Sequence, residues 1–143
     1  MNRATIVRAL TTSTARIEER ADGVIIHRVL VTRTQTLSDA RENTATLHRL
    51  LINPPRSLVV DIRIARGLQP GVREHYLNSG IEPLCSAIAF LVASPGSRQI
   101  SHQLMSDLAG TVPLGEFCDE AEAIAWLHRH AGERPTFAGN AAF

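Results

Sequence analysis

Leu58-Val59-Val60-Asp61-Ile62 is a short run in which one acid interrupts four apolar residues, the pattern of a strand covered on both faces. Such strands belong to sheets flanked by helices, so this stretch predicts an α/β domain. The residues downstream agree. Pro70 suits the first turn of a helix that turns Val72, Tyr76 and Leu77 inward and ends at Gly80. Ala87 to Ala93 is a second buried strand. Ser94-Pro95-Gly96-Ser97 then opens a helix with Ile100, Leu104, Met105 and Leu108 on one side, closed by Gly110. Val112 to Phe117 gives a last short strand, and Asp119-x-x-Glu122 is a capping-box variant opening a helix that buries Ile124, Trp126 and Leu127.

Upstream, Ala15 to Ala21 and Val24 to Val31 read as strands joined by the hairpin turn signal Asp22-Gly23. Thr36-Leu37-Ser38-Asp39 opens a helix in which Ala40, Thr44, Leu47 and Leu51 share a face, and Asn53-Pro54-Pro55 stops it. The order is β-β-α-β-α-β-α-β-α. It predicts one α/β domain over residues 13–131, a mixed sheet of about five strands with about four helices. Residues 1–12 and 132–143 have little periodic signal and are expected to be flexible termini.

Composition narrows the function classes. The chain has 143 residues, 44% hydrophobic and 20% charged, enough to bury a core without a disulfide or a metal. A formal net charge of +1 provides no field for collecting nucleic acid or anionic membrane. Aromatic residues at 4% offer few platforms for stacking bases. All 15 basic residues are Arg, a planar fork suited to carboxylates and phosphates. Cys85 and Cys118 lack a framework spacing and are expected to be buried, reduced thiols of a cytoplasmic protein. The longest apolar run, Ala87 to Ala93, is too short to span a bilayer, and the first residues hold no secretory apolar segment.

Three stretches resemble the SpoIIAA-like group of the STAS/SEC14 superfamily. Leu58 to Arg63 resembles its strand ending in Asp. Ala87 to Val92 followed by Ser94 to Arg98 resembles its central strand and helix start. Phe117-Cys118-Asp119-Glu120-Ala121-Glu122-Ala123-Ile124-Ala125-Trp126-Leu127 is similar to its closing F-x-[DE]-x-x-x-A-x-x-W-L pattern. The resemblance implies helices packed on a sheet, no cofactor, and a role in protein interaction or small-ligand binding. Anti-sigma-factor antagonists of that group carry a phosphorylatable Ser in the loop after the Asp-ending strand. Here the loop runs from Arg63 to Gly71 without Ser, Thr or Tyr, so that switch is not expected. SEC14-type carriers are larger, so a full lipid cavity is not expected either.

The loop from Asp61 to Arg73 is the leading candidate site, because open α/β sheets bind ligands beyond the carboxyl ends of their strands. Arg63, Arg66 and Arg73 are placed to converge there on a carboxylate, a phosphate or an acidic partner. The competing expectation is that Asp61 pairs with one Arg and the others face water. Ser97 and Arg98 mark a second helix start, where capping is the simpler role. His128 and His130 are two apart and share no helix face, which speaks against a metal site. Glu74 and His75 have no nucleophile placed beside them by spacing, and Cys85 and Cys118 lack the C-x-x-C spacing of a redox pair. The expectation is a non-enzymatic interaction or regulatory module without catalytic residues, metal or cofactor, binding a protein partner or itself as a homodimer. The alternative is a binder of a small anion or lipid headgroup through the Arg-rich loop, with no nucleic acid and no integral membrane association.

Overall fold

Strands and helices alternate along the chain where the sequence period changes. A computed structural model describes residues 2–131 and residue 133. Its elements are β1 (Ile6–Thr11), β2 (Ala15–Arg20), β3 (Ile25–Val29), α1 (Leu37–Leu50), β4 (Arg56–Asp61), α2 (Val72–Leu77), β5 (Cys85–Leu91), α3 (Pro95–Leu108), β6 (Leu114–Phe117) and α4 (Glu120–His130). One six-stranded sheet holds the strands in chain order. Strands β1, β2 and β3 pair antiparallel, and β3, β4, β5 and β6 run parallel.

The hairpin β2–β3 turns at Asp22-Gly23. Gly23 has φ +90°, a conformation that favours glycine, and the Asp22 carboxylate accepts the Val24 N–H at 3.1 Å. Helix α1 starts with a full capping box between Thr36 and Asp39, and α3 starts with one between Ser94 and Ser97. At α4 the Asp119 carboxylate accepts the Glu122 N–H at 2.9 Å.

Three crossovers, through α1, α2 and α3, each step one strand further in the same direction. Right-handed crossovers then put all three helices on one face of the sheet. The buried residues separate accordingly. Leu47 and Leu50 of α1 and Ile100 and Leu104 of α3 pack with Ile25, Val29, Leu58, Ile88 and Phe90. Ala123, Ile124 and Leu127 of α4 pack with Ile26, Val59, Ala87, Ala89 and Leu91 on the opposite face. Alternate residues of β4 and β5 serve the two cores, which is why those strands read as unbroken apolar runs. No helix among the described residues is long and apolar enough to cross a membrane.

Two expectations are corrected. The sequence predicts a flexible terminus over residues 1–12, but Ile6–Thr11 form the outer strand β1. Most of β1 is exposed, so burial imposes no two-residue alternation that the sequence would display. It is held by its ladder to β2 and by the turn that follows, where Thr12 donates to Asn43 of α1 at 2.6 Å. Cys118 was expected to be buried with Cys85; Cys85 is buried and Cys118 is exposed. Cys118 lies between the end of β6 and the cap of α4, outside the period of either core. Of the expected C-terminal tail, residues 132 and 134–143 lie outside the described residues.

Candidate functional site

Helix α2 spans only Val72–Leu77. It packs mainly on α1 and α3 rather than on the sheet. The middle of the sheet is therefore thinly covered, and a cavity of about 90 Å³ lies beneath. Its floor includes Val29, Val60, Ile88 and Phe90 of the parallel strands, and its walls include Leu47 of α1 and Leu104 of α3. Ala65, Gly67 and Leu68 of the loop after β4 also line it.

Polar groups meet this cavity at few points. Tyr76 of α2 donates its hydroxyl to Gln35 Oε1 at 2.5 Å, and both residues line the space. Burial pushes the Tyr76 phenol up to about 12, so it remains a donor at neutral pH. Arg33 also lines the space and is clamped by Asp39 at 2.6 and 3.0 Å.

Glu82 also lines the space, and His27 completes its polar wall. It sits on β3 with Ile17 and Val60 as its register neighbours and Phe90 beyond Val60. Its side of the strand is that of Ile25 and Val29, facing the helices α1 to α3. Only 4% of His27 is exposed, and its Nε2 has no hydrogen-bond partner among the described residues. Burial pushes the imidazole down to about 4, against the partly opposing charge of Asp61, so the ring is neutral at physiological pH. Sequence reasoning passed over this residue. The available signal was its place at a two-residue spacing between Ile25 and Val29.

The residues expected to form an anion site are distributed differently. Asp61 is buried at the end of β4, on the α4 face of the sheet and away from the cavity. Its carboxylate accepts from Arg28 at 2.8 Å, from the Arg63 side chain at 2.8 and 3.0 Å, and from the Arg63 backbone N–H at 3.2 Å. Burial pushes its pKa up, but the hydrogen bonds from Arg63 and the charges of Arg63 and Arg28 outweigh this and hold it below the usual carboxylate range. Arg28 also reaches Glu18 at 3.0 Å and Glu120 at 2.8 Å. The result is a closed ion-pair network joining β2, β3, β4 and α4.

The three loop arginines do not converge. Arg63 is committed to Asp61. Arg73 forms a two-pronged ion pair with Asp107, tying α2 to α3. Arg66 is exposed and makes no side-chain hydrogen bond or ion pair among the described residues. The Ser97 hydroxyl accepts the backbone N–H groups of Ala93 and Ser94, each at 3.0 Å, so it caps the helix. Arg98 is exposed beside Cys118, 3.4 Å from its sulfur.

The other sequence candidates also have structural partners. His75 Nε2 lies 2.9 Å from the Thr44 hydroxyl, joining α2 to α1. The Cys85 thiol donates to the Ile81 carbonyl at 3.4 Å, and burial pushes its pKa up to about 12. His128 Nε2 lies 3.0 Å from the Asp22 carboxylate, pinning α4 to the β2–β3 turn. No group of three His, Cys, Asp or Glu among the described residues is placed to hold a metal ion.

The sheet order, the helices on both faces and the cavity define an α/β domain of the SpoIIAA-like fold. It is similar to the crystal structure of an uncharacterised protein of the DUF3478 family with a SpoIIAA-like fold from Shewanella loihica PV-4, with a TM-score of 0.56 and 14% identity over 84% of this chain and 90% of that one. The chain belongs to the family described as a domain of unknown function, DUF7793, whose model matches residues 18–131. A comparison with curated proteins finds no match.

Proposed function

We propose that this domain is a non-enzymatic, ligand-responsive binding module whose ligand is a small, mostly apolar molecule held between the sheet and helices α1 to α3. The observation that carries this reading is the apolar cavity beneath α2. Its volume of about 90 Å³ is of the same order as engineered apolar cavities of about 150 Å³ that take up benzene. A ring or short chain fits; a lipid with two long tails does not. The roles of His75 in tethering α2 and of Cys85 as a buried, protonated thiol support a binding function over catalysis. The commitment of Arg63 and Arg73 to carboxylates of the same chain favours the cavity over the Arg-rich loop as the ligand site.

Toluene at saturating concentration is expected to raise the melting temperature by several °C, because binding to the folded state alone stabilises it. Ala65→Leu places a larger side chain in the cavity wall and is expected to abolish the shift. The absence of a shift with any member of a panel of small aromatics and short alcohols, measured by scanning calorimetry, would overturn the reading.

Self-association is a second reading, favoured by β1. This edge strand exposes two apolar side chains, Ile6 at 38% and Val7 at 47%, beside its open edge. The expected result is a homodimer in analytical ultracentrifugation that Val7→Lys dissociates. A monomer at every concentration up to the millimolar range would remove this reading.

A further inference from the structure

Among the described residues, His27 Nε2 is the one buried side-chain nitrogen or oxygen without a hydrogen-bond partner. Such atoms are rare because each costs the free energy of stripping away its water. The cost is avoidable here. The row on either side of His27 is Ile17, Val60 and Phe90, and an aliphatic or aromatic residue at this position would continue it without a lone polar atom. The imidazole instead forms part of the wall of the cavity.

We propose that the ligand of this cavity carries a single hydroxyl, as a short-chain alcohol or a single-ring phenol, and that this hydroxyl pairs with the His27 imidazole. The inference rests on the cavity being a ligand site. The size follows from the volume of about 90 Å³. The polar group follows from the chemistry of the wall. A neutral imidazole nitrogen is a donor in one tautomer and an acceptor in the other, and a hydroxyl satisfies either. An ionised carboxylate would bring an uncompensated charge among apolar side chains. The charges nearest the site do not change this. Arg33 is occupied by Asp39, Asp61 is bound by Arg28 and Arg63 on the other face of the sheet, and Glu82, which also lines the cavity, adds negative charge that disfavours an anion. Tyr76, with its ring 6.4 Å from that of His27, already spends its proton on Gln35.

Phenol and its near-isostere toluene test the inference by isothermal titration at pH 7. The measured quantity is the phenol-to-toluene affinity ratio in the wild type divided by that in His27→Phe. This quotient cancels the difference in transfer from water. It is expected to be about tenfold or more, the worth of a buried hydrogen bond plus the orphaned partner its loss leaves behind. His27→Leu gives an independent second quotient. In the wild type the His27 side-chain ¹⁵N resonances are expected to move with phenol and stay in place with toluene, which needs no variant to fold. A quotient near one while both probes bind, or ¹⁵N resonances indifferent to phenol, overturns the hydroxyl assignment and leaves the cavity as an apolar ligand site. Failure of both probes to bind the wild type overturns the site itself.

Discussion

Acidification from pH 6.5 to pH 4 is expected to cost about 3 kcal/mol of folding stability through His27 alone. The folded imidazole, stripped of water and without a partner at Nε2, takes a proton only at about pH 4. In the unfolded chain it does so near 6.5. Below 6.5 the unfolded state therefore binds more protons than the folded state, and stability falls with pH. Once the pH passes below about 4 both states are protonated, and this residue contributes no further change. The full contribution is present above 6.5.

Depressed carboxylates respond in a lower window. Asp61, Asp22 and Asp39 titrate below the ordinary 3.8, Asp39 at about 2, so their contributions are lost mainly as the pH falls from about 4 toward 2. Urea unfolding at intervals from pH 7.5 to pH 4 provides the measurement. His27→Leu is expected to flatten the curve over that range. At pH 7 it is expected to be at least as stable as the wild type, because a lone buried polar group is replaced by an apolar one of similar size. An unchanged slope in His27→Leu would show that the acid sensitivity lies elsewhere.

Asp61→Ala is expected to destabilise the domain by about 3 kcal/mol. The carboxylate is 4% exposed and accepts from two guanidinium groups and a backbone N–H. Its removal takes from Arg63 its two-pronged carboxylate and from Arg28 one of three carboxylate partners. Arg28 keeps Glu18 and Glu120, so the loss belongs at the lower end of the range for a broken buried pair. A double-mutant cycle with Arg28→Ala, read by chemical denaturation, is expected to show coupling of at least about 1 kcal/mol. Arg66→Ala serves as the contrast, with an expected change within about 0.5 kcal/mol. Equal effects of Asp61→Ala and Arg66→Ala would contradict the ion-pair network.

The strands β4 and β5 were legible because each is buried on both sides, and an unbroken apolar run needs no partner to be recognised. The capped starts of α1 and α3 were legible because a capping residue acts within three positions of itself. Strand β1 was not. Its pairing comes from the open edge of β2, and its exposed side chains bear no imprint of it. The arginines show the same division. The sequence placed Arg63, Arg66 and Arg73 along one loop, and two of them found carboxylates of the same chain, Asp61 and Asp107. Asp107, the partner of Arg73, lies 34 residues along the chain. Arg28, which the sequence did not single out, stands opposite Asp61 only because β3 and β4 pair in that register.

Hydrophobic periodicity, turn residues and caps determined an α/β domain with its helices in this order, since each of these acts within one element. The six-stranded order, the placing of α1 to α3 on one face and the cavity under α2 were decided only by tertiary packing. Register and void volume depend on elements distant in the chain meeting at a distance their own sequences do not specify. His27 looks like an ordinary strand residue until the sheet seats it between Ile17 and Val60 and the short α2 leaves open space beside it.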